Sequence, residues 1–134
     1  MIGYVMIGTN DLDQGARFYD VLLAPLGLVQ VARVETYAAY APKAAKDAIE
    51  FYITTPFDKG PATPGNGTMV ALAAPTMQAL EQFHRLGLQN GGSDEGAPGP
   101  REEGSAICYA YIRDADGNKI CAFYDGAKGQ AADE

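Results

Sequence analysis

The same order of elements occurs twice in this chain, and that repeat constrains the fold more than any other feature. In the first half the apolar stretch "IGYVMIG" leads into "TNDLDQGARFYDVLLAPLGL". There Leu12, Ala16, Tyr19, Leu23 and Leu26 recur at spacings of four and three, one face of a helix. Asp11 is the expected N-cap, with Gln14 as its capping-box partner, and Pro25 and Gly27 close the helix. Three strand candidates follow: "LVQVARV", "TYAAYA" and "AIEFYITT". The second half repeats the order. "GTMVALAA" reads as a strand, and Thr76 caps a helix with Leu80, Phe83 and Gly87 on its inner side. "SDEGAPGPREEG" reads as a long loop, and the hairpin "AICYAYIRDADGNKICAFY" closes the half.

Each half is too small to bury both faces of its own sheet. The reading is therefore one α+β domain over residues 1–134: module one at 1–56, a linker at 57–66, module two at 67–126 and a tail at 127–134. In this alignment Ile49 matches Ile120 and Glu50 matches Cys121.

Composition narrows the class of function. The 134 residues are 47% hydrophobic and 20% charged, ordinary globular values. A net charge of −7 argues against nucleic acid and anionic membrane as partners. No apolar run approaches the length of a bilayer span, and no signal-peptide pattern follows Met1, so the expected location is the cytoplasm. The two cysteines, Cys108 and Cys121, are expected to be free. Folding the hairpin about Asp114–Gly117 sets Cys121 opposite residue 110 or 111, out of reach of Cys108.

Strand alternation assigns the faces. Val5, Ile7, Phe51, Ile53, Val70, Leu72, Ile120 and Ala122 are expected against the helices. Tyr4, Glu50, Tyr52, Met69, Cys121 and Phe123 then line the concave side of a curved sheet, with small residues between them. A carboxylate such as Glu50 on that side needs a partner, water or a ligand.

"TNDLDQGARFYDVLLAPLGL", "GNGTMVALAAPTMQALEQFHRLGLQNGG", "GAPGPR" and "RDADGNKI", in this order, resemble the vicinal oxygen chelate superfamily, the glyoxalase, bleomycin-resistance and extradiol-dioxygenase group. The resemblance implies two βαβββ modules forming a cupped, incomplete mixed β-barrel with helices on the outer face. It also implies a small-molecule ligand in the cup, and is compatible with a homodimer. Such enzymes commonly hold a divalent metal through His, Gln and Glu on the first and last strands of each module. Carried over position by position, those sites fall on Tyr4, Glu50, Met69 and Cys121. A thioether is a soft, weak donor and a phenol ionises only near pH 10, so Met69 and Tyr4 read as fillers of a vacated metal site.

The expectation is a binding protein, or a metal-independent enzyme using Glu50 and Tyr4, with no cofactor. Tyr52, Met69, Cys121, Phe123 and Arg101 are its ligand-binding candidates. The alternatives are a metal-dependent lyase or dioxygenase, with one divalent ion near Glu50 and Cys121, and a protein-interaction module. Glu50 is expected to be desolvated, which suits a general base; an exposed edge carboxylate is the other reading. Cys121 reads as a buried structural thiol, a nucleophile or a ligand. The single histidine, His84, falls on the second helix, away from Cys121. Arg101 either grips a ligand carboxylate at the mouth of the cup or is a solvated loop residue. "DADGN" begins like a calcium loop, but its Asp-Gly pair is better read as hairpin turn chemistry.

Overall fold

The computed structural model describes residues 1–128; the end of the expected tail, from 129 on, lies outside the described residues. Module one comprises β1 (Val5–Gly8), α1 (Leu12–Leu23), a 3-10 turn (Ala24–Leu26), β2 (Leu28–Arg33), β3 (Tyr37–Pro42) and β4 (Phe51–Thr54). Module two comprises β5 (Met69–Ala73), α2 (Met77–Gln89), β6 (Ser93–Pro100), β7 (Ile107–Arg113) and β8 (Lys119–Asp125). Each module forms one four-stranded mixed sheet, in the orders β1-β4-β3-β2 and β5-β8-β7-β6. In both, the first strand runs parallel to the last and the other pairs are antiparallel. The fold is α+β with two βαβββ modules, and neither sheet closes into a barrel.

The helices form where their caps and apolar faces place them. Asp11 Oδ1 accepts from the Gln14 amide at 3.0 Å, and Thr76 Oγ1 from the Ala79 amide at 3.0 Å. Each bond satisfies one of the donors that a helix N-terminus leaves open. Gly27 ends the first helical segment at φ 82°, a left-handed conformation that favours glycine. Leu12, Ala16, Tyr19 and Leu23 are buried on α1, and Leu80, Phe83 and Gly87 on α2. α1 packs on β2, β3 and β4, α2 packs on β6, β7 and β8, and the helices pack on each other. One hydrophobic core therefore runs through both modules, from Ile53 and Phe51 through Leu22 and Phe83 to Ile112 and Ile120.

The expected loop from Ser93 is corrected. Ser93–Pro100 is an edge strand, β6, paired with β7 from Ser93↔Arg113 to Pro100↔Cys108. Two register irregularities, between Asp94 and Gly96 and between Gly96 and Gly99, accommodate its composition. An edge strand has one free side, so Pro98 and Pro100 do not disrupt a central ladder.

The turn after β7 reaches across to module one. Asp114 accepts from the Asn118 amide at 2.9 Å, from the Asp116 amide at 3.0 Å, from Asn118 Nδ2 at 2.9 Å and from the Tyr19 hydroxyl at 2.6 Å. Asn118 Nδ2 also donates to the Gly8 carbonyl at 2.8 Å. Thr9 Oγ1 and the Asn10 amide donate to Asp116 at 2.7 and 2.9 Å. The turn itself is closed by Gly117 N to Asp114 O at 3.0 Å, with Gly117 at φ 87°. The acidic groups of "DADGN" are thus spent on the turn and on joining the modules, not on an ion loop.

Candidate functional site

With one face of each sheet on the shared core, the other face is the concave side. On module one Tyr4, Met6 and Tyr52 occupy it. Tyr52 lies between Tyr4 and Tyr37, with ring centroids at 5.0 and 5.4 Å in edge-to-face geometry. Tyr4 is 58% exposed and Met6 51%. Glu50 stands one residue before β4. Its backbone is held on both sides, by Val5 N to Glu50 O at 3.0 Å and Glu50 N to Tyr40 O at 3.0 Å. Its side chain is exposed. The desolvated Glu50 expected above is therefore corrected: the residue sits off the end of the strand, where the single chain does not cover it.

On module two the register sets Met69 beside Lys119, Ala71 beside Cys121 and Ala73 beside Phe123. Across the other ladder Lys119 faces Arg113, Cys121 faces Tyr111 and Phe123 faces Tyr109. Tyr109 and Tyr111 are nearly parallel, with centroids 6.1 Å apart, and Phe123 lies 6.3 Å from Tyr109. Cys121 is fully buried on this side, outside the shared core. Burial pushes its thiol up to about 11, against opposing fields from Lys119 and Arg101. It is thus a neutral thiol at physiological pH and a poor nucleophile. Cys108 and Cys121 are both free; they sit on opposite faces of the hairpin. His84 is engaged elsewhere, its Nε2 2.9 Å from Asp94 Oδ1, so no Cys–His pair forms. That contact ties α2 to β6 and holds the Asp94 carboxyl below its usual range.

A cavity of about 570 Å³ opens on the concave side of module two. Met69, Glu95, Arg101, Tyr111, Arg113 and Lys119 line it, together with Asn66–Thr68. A second space of about 340 Å³ shares Arg101 and continues along Tyr109. Of the expected site residues, Met69 and Arg101 line these spaces, Cys121 lies under Tyr111 in the ladder, and Phe123 adjoins Tyr109. Tyr4, Tyr52 and Glu50 line neither.

Lys119 and Arg113 are cavity residues that the sequence reading passed over as ligand contacts, whereas Tyr111 is one of the tyrosines it offered as pocket faces. Strict alternation back from Cys121 puts Lys119 on the same face, a signal already present in "KICAFY". The ladders also correct the internal alignment. Val5 pairs with Phe51 and Val70 with Ile120, so the register counterpart of Glu50 is Lys119, not Cys121.

A family model described as the glyoxalase/bleomycin resistance protein/dioxygenase superfamily matches residues 1–122. The chain belongs to that superfamily. Among solved structures, a glyoxalase/bleomycin resistance protein from Albidiferax ferrireducens T118 is 40% identical, with a TM-score of 0.80 over 91% of this chain and 96% of that one. A glyoxalase-related enzyme from Fulvimarina pelagi is 18% identical, with a TM-score of 0.69, over 92% of this chain and 87% of that one. A glyoxalase I mutant from Zea mays is 20% identical, with a TM-score of 0.68, over 97% of this chain but 47% of that one. At those two identities the likeness shows the fold alone. No curated protein sequence matches the chain.

For a superfamily member, the donor set is poor for a divalent ion. Tyr4 and Glu50 lie on one sheet, Met69 and the fully buried Cys121 on the other. Among the described residues no three His, Cys, Asp or Glu side chains cluster as metal ligands. A thioether and a phenol do not fit the hard or borderline ions that carboxylate and imidazole hold.

Proposed function

We propose that this superfamily member binds a small organic molecule on the concave side of module two, without a metal. One observation carries the reading: at the positions where the resemblance puts metal ligands on this module stand Met69 and the buried Cys121, beside an open, polar-walled cavity. Tyr111, Met69 and Phe123 supply apolar faces, and Arg101 supplies a charge to orient the bound molecule. Glu50 and Tyr4 stand side by side on module one and line neither space, so this reading gives them no part in holding the ligand.

Elemental analysis of protein purified without chelator tests it. The expected content is far below one metal per chain, with no saturable uptake of Mn, Ni, Zn or Fe. One tightly held metal that disappears on Glu50→Gln would replace this reading with the metal-dependent lyase or dioxygenase. A homodimer belongs to the same reading, because Tyr4, Met6 and Met69 leave apolar side chains open on both concave faces. Sedimentation equilibrium is expected to give twice the chain mass; a monomer at micromolar concentration removes that part.

A further inference from the structure

Basic residues are scarce in this chain, 10 Lys and Arg against 17 Asp and Glu. Three of them, Arg101, Arg113 and Lys119, nevertheless converge on the cavity of module two. Arg113 is already engaged: its Nε donates to Glu95 Oε1 at 2.6 Å and its Nη1 to the Gly117 carbonyl at 2.8 Å. Arg101 and Lys119 have no carboxylate within ion-pair distance among the described residues. Lys119 Nζ lies 5.3 Å from the centroid of the Tyr111 ring, which holds the ammonium over an aromatic face. Both cations also act on the buried Cys121 thiol below. In a protein of net charge −7 these cations share their cavities with Glu95, already bonded to Arg113, and with Glu102, neither of which pairs with Arg101 or Lys119 among the described residues.

The neighbouring surface is shaped to take a flat body. Tyr111 and Tyr109 stand nearly parallel along β7. Opposite them on β6 are Gly96, against which the Tyr111 ring packs so closely that a methyl group would stand 2.8 Å from its Cδ2, and Gly99, where a methyl group would meet nothing within 4 Å. The floor toward β5 carries Met69 beside Lys119 and then only the small Ala71 and Ala73. The space beside the tyrosines is therefore open at the end where Arg101 joins the two cavities.

We propose that this cavity takes a small planar organic anion, its carboxylate or phosphate held between Arg101 and Lys119 and its ring against Tyr111 and Tyr109. This rests on the reading of module two as the ligand site and names the class of ligand. The two cations provide fixed positive charge for ligand oxygens with no metal present.

The test is titration of the full chain, followed by amide chemical shifts, with benzoate, phenyl phosphate and inorganic phosphate, and with benzamide as the neutral isostere. Benzoate or phenyl phosphate is expected to shift amides around 69, 111, 119 and 121, at least about tenfold more tightly than benzamide, as expected for a charge-assisted contact. Lys119→Gln with Arg101→Gln should weaken the anion by about tenfold or more and leave benzamide unchanged, whereas Lys46→Gln should change neither. Because the double variant removes only polar tips, an unchanged thermal midpoint is expected. Raising the salt concentration on the unmutated protein gives the same answer independently, with anion affinity falling and benzamide affinity constant.

Benzamide binding as tightly as benzoate at the same amides would overturn the anion proposal and leave the ligand site standing. Inorganic phosphate binding as tightly as phenyl phosphate would overturn the role given to the tyrosines. No shift at these amides with any probe would overturn both the proposal and the reading beneath it.

Discussion

Replacing Asp114 by alanine is expected to lower the unfolding free energy by about 3–4 kcal/mol, the largest loss from any single polar residue here. Asp114 is 8% exposed and accepts four hydrogen bonds, two from turn amides, one from Asn118 Nδ2 and one from the Tyr19 hydroxyl. Alanine leaves the Tyr19 hydroxyl and the two turn amides without that partner, while Asn118 Nδ2 keeps the Gly8 carbonyl. Tyr19 is the costly one, because it is 1% exposed and cannot turn to water. Urea unfolding should show a lower midpoint with an unchanged slope. Tyr19→Phe removes one donor and leaves the carboxylate its other three, so its cost should be smaller, about 1–2 kcal/mol. A cost near zero for Asp114→Ala would mean that the turn does not join the modules.

The same contact has a pH signature. Burial, and then the Asp114 carboxylate, raise the Tyr19 phenol well above its ordinary value near 10. The folded state therefore holds this proton more tightly than the unfolded state. Its contribution is fully present below pH 10 and declines as the pH rises above it. Tyr19→Phe should unfold less steeply than the unmutated protein over that alkaline range.

Gly87→Leu is expected to cost about 3 kcal/mol by overpacking the junction of the two modules. A methyl group at Gly87 would already stand 3.2 Å from Leu22 Cδ1 on α1 and 3.3 Å from Ile112 Cγ2 on β7. Both neighbours are buried, at 1% and 0% exposure, so a longer side chain can be admitted only by moving α1 away from α2. Gly87→Ala separates the two terms. It gains about 1 kcal/mol of helix propensity and asks its neighbours to give by only a few tenths of an ångström, so it should stay within about 1 kcal/mol of the parent. Thermal unfolding of the pair checks this; equal midpoints for Leu and Gly would contradict the packing described at this helix crossing.

What was legible in the sequence was local. The spacing of Leu12, Ala16, Tyr19 and Leu23, the caps at Asp11 and Thr76, and the Asp-Gly turn each depend on residues a few positions apart. Each stands in the structure where those rules put it. The repeated order of elements extended these local readings to the fold. What was not legible depends on distant partners. β6 carries no apolar alternation in "SDEGAPGP"; it is a strand because β7 offers it a ladder. Asp114 looks like a turn residue until Tyr19, 95 positions away, is seen beside it.

The candidate site divides in the same way. Alternation along β8 placed Cys121 and Phe123 on the correct face, and extending it two residues back would have found Lys119. The convergence of Arg101 with Lys119 could not be read, because the segment bearing Arg101 leaves the sheet after an irregular edge strand. Glu50 was left between a desolvated and an exposed carboxylate for a related reason. Its parity was right, but whether the end of a strand is covered is set by other elements, not by parity.

Most directly, the account stands on binding at module two without a metal. The measurement is a benzoate titration, followed by amide shifts, on protein stripped with a chelator and repeated with one equivalent of zinc. The account predicts the same affinity within about twofold in both arms, with shifts centred on Met69, Tyr111, Lys119 and Cys121. Binding that appears only when zinc is restored, or that centres on Tyr4 and Glu50, would contradict it.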